Sequence, residues 1–125
     1  MYQPKQDIYE KLQETGVTVL QSAQETYPET PAITFSVNDN STELDLDNEI
    51  ASQSIIVSID IWTDTSMEAS ALQNACEILM RELGYKMTYS ADVPFPEGAL
   101  HHINCRFETT RWEKIWLEPE PWVLP

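Results

Sequence analysis

Basic residues are scarce in this sequence and absent from a long central stretch. The 125 residues include 7 Lys and Arg against 21 Asp and Glu, which gives a formal net charge of −14. No Lys or Arg lies between Lys11 and Arg81, whereas twelve acids do. Because proteins hold phosphate backbones with Lys and Arg, this composition excludes non-specific clamping of nucleic acid. The acids also favour solubility of a small protein.

Long apolar runs, glycines and cysteines are scarce as well. No stretch approaches the roughly 20 apolar residues that a membrane span requires, and the first residues lack the layout of a signal peptide. We therefore expect that the protein does not contact a membrane. We also expect that it stays in the cytoplasm in which it is made. The three glycines form no phosphate-binding loop, so no nucleotide or other cofactor is expected. Cys76 and Cys105 have no zinc or disulfide spacing and are predicted to be buried thiols.

Hydrophobic periodicity predicts one α+β domain. The pattern favours a mostly antiparallel or mixed β-sheet of about four to five strands, with two helices packed on one side. The predicted order is a short helix, two strands, a long strand, a long helix and two strands. The corresponding segments are 4–15, 17–23, 32–37, 50–63, 65–83, 85–90 and 100–109.

The long helix carries the clearest local signals. Thr65 and Glu68 form a capping box at its start, and Gly84 lies where a left-handed residue ends helices. A broad apolar stripe, with Leu79 near its centre, predicts packing against a strand face that begins at Ile55 and continues at every second residue.

Acidic and other polar residues dominate from Asn38 to Glu49. A segment of this composition buries little apolar surface, so we predict a long mobile loop. Its acids are candidate contacts with a neighbouring subunit or another protein: Asp39, Glu43, Asp45, Asp47 and Glu49.

Tryptophan is concentrated near the end of the chain. We divide the sequence into a domain at 1–110 and a Trp/Pro-rich arm at 111–125, in which Trp112, Trp116 and Trp122 are candidate interface anchors. They can fold over the sheet of their own chain or dock on a neighbour, and both can be true of different residues. Trp62 is a further candidate, because it is predicted on the strand face opposite the core.

Catalytic and metal-binding patterns are weak. His101 and His102 are neighbours on a predicted strand and point to opposite faces, so they do not grip one metal together. The acidic run that begins at Asp45 lacks the spacing of a calcium loop. Asp60 and Asp64 could form a carboxylate pair, but we place Asp60 on a solvent-facing strand position and Asp64 in a turn. We therefore predict no metal site and no enzymatic activity.

Four segments contain characteristic residues in a characteristic order. They are Asp7-Ile-Tyr-Glu-Lys-Leu, Gly16-Val-Thr-Val, Pro31-Ala-Ile-Thr-Phe, and Ser58-Ile-Asp-Ile-Trp-Thr63 followed by the helix up to Leu-Gly-Tyr85. Together they resemble the tail terminator, or tail completion, proteins of siphophages and related tailed particles, and the resemblance covers roughly residues 6 to 110.

The resemblance implies a non-catalytic structural protein of the virion tail or neck. Proteins of this family form a ring, typically a hexamer, that caps the tail tube, ends tail elongation and provides the head–tail joining interface. The implied partners are further copies of the chain, the tail tube protein and a head-connector or neck protein, with DNA passing through the lumen without specific binding. The particle could be a phage, a prophage or a phage-derived bacteriocin, made in a bacterial cytoplasm.

Two other classes of function remain open. The chain could be a cytosolic protein–protein interaction module that docks partners through its acidic loop and its Trp/Pro tail. A small hydrolase that uses Asp60 or Asp64 is the third alternative.

Overall fold

A computed structural model describes residues 2–21, 29–44, 50–94 and 100–114. Within these ranges the chain forms helix α1 (Pro4–Leu12), a 3-10 turn (Gln13–Thr15), and strands β1 (Thr18–Gln21), β2 (Ala32–Leu44) and β3 (Ile50–Thr63). Helix α2 (Ser66–Glu82) and strands β4 (Lys86–Val93) and β5 (His101–Lys114) follow. The predicted α+β class is confirmed.

The five strands form one mixed sheet in the order β1-β2-β3-β5-β4. Strands β1 and β2 are parallel, and the other neighbours are antiparallel. The three central strands are long, at 13, 14 and 14 residues. The two outer strands are shorter than the central ones. The pairing of β1 with β2 ends at Phe35, and the pairing of β4 with β5 does not extend past Glu108.

Both helices pack on one face of this sheet. Ile8 and Leu12 of α1 and Cys76 and Met80 of α2 are fully buried in one cluster with alternate residues of the central strands. The strand residues of this core include the predicted Ile55, Val57, Ile59, Ile61, Ile103, Cys105 and Phe107. Alternation along each strand thus predicted the core face correctly.

The limits of α2 also follow from its sequence. The Glu68 backbone N–H donates to Thr65 Oγ1 at 3.1 Å, and the Thr65 hydroxyl donates to the Glu68 carboxylate at 3.1 Å. The predicted cap is therefore present, although its second contact is between side chains. Gly84 ends the helix at φ +93°, a conformation that side chains with a Cβ rarely adopt.

The predicted apolar stripe is wider than the surface that α2 buries. Leu79 is only half-buried and Ile78 is 48% exposed, whereas Met80 is fully buried. The centre of the packed face therefore lies on the line of Ala69, Cys76 and Met80 and not at Leu79.

The prediction of a mobile loop from Asn38 was wrong for its first seven residues. Residues 38–44 continue β2. Asn38 lies at a register shift, and Asp39 to Leu44 pair with β3. The ladder stabilises this segment through backbone pairing, for which burial of apolar side chains is not required. Residues 45–49 lie outside the described part of the chain.

Candidate functional site: the helix-free face and the strand arm

The sheet face opposite the helices is largely polar. Its central positions are Ser58, Asp60 and Trp62 on β3, paired with Arg106, Asn104 and His102 on β5. We call this surface the helix-free face. It is where the sequence places Trp62, and the two adjacent histidines indeed occupy opposite faces, with His101 paired with Thr63 on the helix side.

A hydrogen-bonded cluster lies at the centre of the helix-free face. Asp60 Oδ1 accepts from Asn104 Nδ2 at 3.0 Å and forms a hydrogen bond with His102 Nε2 at 2.7 Å. The His102 ring stacks on Trp62 with a centroid distance of 3.8 Å, and Trp62 Nε1 donates to Thr34 Oγ1 at 3.1 Å. Asp60, Trp62, His102 and Asn104 are all half-buried. The cluster ties β2, β3 and β5 together by side chains.

The hydrogen bond between Asp60 and His102 is of the kind by which a carboxylate orients a catalytic imidazole. A nucleophilic reaction would also require a reactive group beside the imidazole. Cys105 pairs with Ile59 and therefore lies on the opposite, helix-bearing face. Asp64, the other candidate carboxylate, accepts a hydrogen bond from Thr30. The structure thus gives Asp60 and Asp64 separate partners.

Cys76 and Cys105 are both buried, as predicted, and both are free thiols. Burial raises the pKa of the Cys76 thiol from its ordinary value of 9.0 to about 12, and the neighbouring Cys105 adds to this shift. Burial also raises the pKa of the Cys105 thiol, to about 11. Both side chains are completely inaccessible to solvent. These thiols act as packing groups.

We expect both thiols to react with iodoacetamide at pH 8 many times more slowly in the folded protein than in denaturant. Folding raises the pKa of both thiols, so the folded protein favours their protonated form. The free energy of unfolding is therefore unaffected by these thiols below pH 9, and it decreases as the pH rises from 9 towards 11–12. For Cys76 the loss approaches about 1.4 kcal/mol per pH unit in that window. Mass spectrometry after timed alkylation, combined with urea unfolding at pH 8 and pH 10, measures both effects. Equal labelling rates in the folded and unfolded protein would contradict this assignment.

Beyond the last residues that pair with β1 and β4, the three central strands continue as a three-stranded extension of the sheet. It comprises residues 36–44 of β2, 50–55 of β3 and 109–114 of β5. We call it the strand arm. Its exposed side chains include Leu44 at 55% and Trp112 at 72%.

The segment before α1 holds the helix side of the strand arm. Gln53 is buried there, and its Nε2 donates to the Tyr2 carbonyl oxygen at 2.9 Å and to Asn40 Oδ1 at 2.7 Å. The Arg111 guanidinium lies 3.9 Å from the centre of the Tyr2 ring. The hydroxyls of Tyr2 and Tyr85 are 3.2 Å apart and share a hydrogen bond. These contacts fix the base of the arm to the core.

The predicted interface residues fall in three environments. Asp39 and Glu43 are exposed on β2, and Trp112 is exposed on β5, so all three lie on the strand arm. Trp62 belongs to the cluster on the helix-free face. The others lie outside the described residues: Asp45, Asp47, Glu49, Trp116 and Trp122. Strand β5 continues through Lys114, so residues 111–114 are part of the sheet.

A cleft of about 470 Å³ lies between the start of α2 and the ends of β4 and β5. Ser66, Asp92 and His101 are among its lining residues. Within the described ranges, no three His, Cys, Asp or Glu residues are grouped so that they could hold a metal ion. No helix of the described part of the chain is long and apolar enough to cross a membrane.

Comparison with known proteins finds similar chains among the solved structures. No family model and no curated protein matches the chain. One similar chain comes from a solved structure described as "Virion of native gene transfer agent (GTA) particle". The two chains are 14% identical, with a TM-score of 0.49, and the likeness covers 82% of this chain and 90% of the other.

Proposed function

We propose that this chain is a structural protein of a phage or phage-derived particle, and that it caps the tail tube as a ring. In this role it ends tail elongation and presents the surface to which the head joins. A hexamer is the expected ring, with the tail tube protein on one side and a head-connector or neck protein on the other. The proposal includes no catalytic step and no cofactor.

The observation that carries the proposal is the strand arm. A small domain with a helix-backed core has no need of three strands that continue past β1 and β4 with exposed Leu44 and Trp112. An exposed strand edge is a ready template for pairing with a strand of another chain. The arm therefore favours a protein that is completed by assembly.

The order of the resembling segments agrees with the fold. Ser58-Ile-Asp-Ile-Trp-Thr63 forms the end of the central strand β3 and leads at once into α2, which ends at Glu82, just before Gly84. Asp7 to Leu12 forms the second half of α1, on the same side of the sheet. The resemblance to tail terminators thus involves the core elements of the domain and supports the proposed class.

The charge distribution suits a DNA-permissive lumen. Strands β2 and β3 lie in the stretch without Lys or Arg and expose Asp39 and Glu43. These negative carboxylates repel the negative DNA phosphates over a Debye length of about 10 Å at 0.1 M salt. A ring that exposes such residues towards its lumen would let DNA pass without holding it.

Deletion of the gene in a strain that produces the particle tests this function. We expect tails of unregulated, excessive length that lack heads, and restoration of the normal length when the gene is supplied in trans. Electron microscopy of purified particles measures the length distribution. Complementation with Asp60→Asn serves as the control for the hydrolase alternative, and we expect it to restore tails. Normal tail length in the deletion strain would contradict the proposal.

The interaction-module alternative rests on the exposure of Trp112, which could anchor an unrelated partner. This alternative predicts a monomer that binds a basic partner, or a partner that recognises its Pro-containing tail, and that has no effect on tail length. The deletion experiment therefore separates the two functions.

A further inference from the structure

The strand arm has two outer edges. Pairing of β1 with β2 ends at Phe35, and pairing of β4 with β5 reaches only Glu108. Within the described ranges, no strand pairs with the outer edge of β2 from Ser36 to Ser41, or with that of β5 from Thr110 to Lys114. Open strand edges pair readily with a strand of another chain.

The two edges are on opposite sides of the same arm, with β3 between them. One subunit can therefore offer its β2 edge to one neighbour and its β5 edge to another. A contact of this kind joins two different surfaces, and it closes into a ring when the rotation between subunits is suitable. Self-pairing of one edge would instead give a closed dimer.

Charge favours contact between unlike edges. The β2 edge carries Asp39 and Glu43 and has no basic residue, whereas the basic Arg111 is exposed near the end of β5. Pairing of two β2 edges would place acids beside acids, which destabilises a sheet. Pairing of β2 with β5 avoids this repulsion.

The acids of the β2 edge and Arg111 of the β5 edge lie on opposite faces of the sheet. They would attract one another in the paired edges without forming a direct salt bridge. Glu43 pairs with Ser52 on the helix-free face, whereas Arg111 pairs with Gln53, one residue further along β3, on the helix side. Neighbouring strands are about 4.8 Å apart, so the groups are still within one Debye length of about 10 Å. Backbone hydrogen bonds would supply the direct contacts.

We propose that subunits of the ring join through their strand arms, with the outer β2 edge of one copy paired to the outer β5 edge of the next. Strands β2 and β5 are each antiparallel to β3 and thus run in the same direction. Rotation about an axis along the strands preserves that direction, so the new pair is parallel. This inference rests on the proposed ring and identifies the surfaces that close it.

Single-cysteine variants test the pairing. Ser41 and Thr110 both pair with Ser54, from opposite sides. Within one chain they are therefore separated by two strand spacings, about 9.6 Å, which exceeds the roughly 7 Å limit for a disulfide. The native thiols are buried. A disulfide between positions 41 and 110 would thus join two chains.

The experiment mixes Ser41→Cys chains with Thr110→Cys or Trp112→Cys chains of different mass, because positions 110 and 112 sample two registers on one face. Under mild oxidation we expect covalent heterodimers in one of these mixtures, at least tenfold above either chain alone. The matched control replaces the Thr110 variant by Asn74→Cys, on the exposed side of α2, and should give none. The Ser41→Cys/Thr110→Cys double variant, or its Trp112 equivalent, should give a ladder of covalent oligomers.

The outcomes separate this inference from the proposed function. Rings of the unmodified protein without cross-links in any mixture would overturn the edge pairing and leave the ring intact. Homodimers of Ser41→Cys alone would overturn it in favour of self-pairing. Absence of rings from the unmodified protein under all conditions would overturn the proposed function itself. Circular dichroism and melting of each variant confirm that cross-linking is compared between folded chains.

Discussion

Replacement of Met80 by alanine should lower the free energy of unfolding by about 2–5 kcal/mol. Met80 is fully buried and packs in the cluster that joins α2 to the sheet, so truncation leaves a cavity beneath the helix. Urea unfolding followed by circular dichroism measures the change.

Ile78→Ala is the matched control for Met80→Ala. Ile78 lies two residues away on the same helix but is 48% exposed, and we expect its replacement to cost less than about 1 kcal/mol. The half-buried Leu79 should give an intermediate value. If Ile78→Ala destabilised the protein as much as Met80→Ala, the packed face of α2 would be assigned incorrectly.

Asp60→Ala should destabilise the protein by about 1–3 kcal/mol, because the variant removes the common acceptor of His102 and Asn104 on a partly buried surface. The stack between His102 and Trp62 should loosen as well. Thermal melting monitored by tryptophan fluorescence reports on both effects.

Asp60→Asn keeps one acceptor oxygen and nearly the same shape, so we expect it to retain most of the stability lost in Asp60→Ala. Tail assembly should be normal in Asp60→Asn, since the proposal gives this residue a structural role. A stable Asp60→Asn variant that fails to complement would mean that the carboxylate acts chemically.

Elements with one buried face could be predicted from the sequence. In β3 the alternation from Ile55 to Ile61 has a period of two, and in α2 the apolar positions recur at helical spacing between the Thr65 cap and Gly84. Both patterns arise because one face of the element excludes water. They are local, and a single sequence contains them in full.

The second half of β2 could not be predicted in the same way. Residues 38–44 alternate between two exposed surfaces, so neither face has an apolar pattern. Their strand conformation depends on pairing with β3 and on the contacts of Gln53 with Asn40 and Tyr2. These partners are distant in sequence, and composition alone indicated a loop.

The cluster on the helix-free face was missed for a related reason. Asp60 and His102 are 42 positions apart in the sequence. They meet only because Asp60 pairs with Asn104 in the β3–β5 ladder, which places Asp60 next to the Trp62–His102 pair on the same face of the sheet. Alternation correctly put Asp60 and Trp62 on one face. It contains no information on the register between two strands, which decides the hydrogen bonds.

Oligomeric state across a salt series, measured by light scattering with electron microscopy of the same samples, tests the central claim most directly. Subunits with a net charge of −14 repel one another at low salt, and the backbone contacts of a strand edge are insensitive to screening. The account therefore predicts monomers or open oligomers at low salt and closed rings, expected to be hexamers, as salt increases or when tail tubes are added. A protein that stays monomeric at every salt concentration and does not bind tube ends would contradict it.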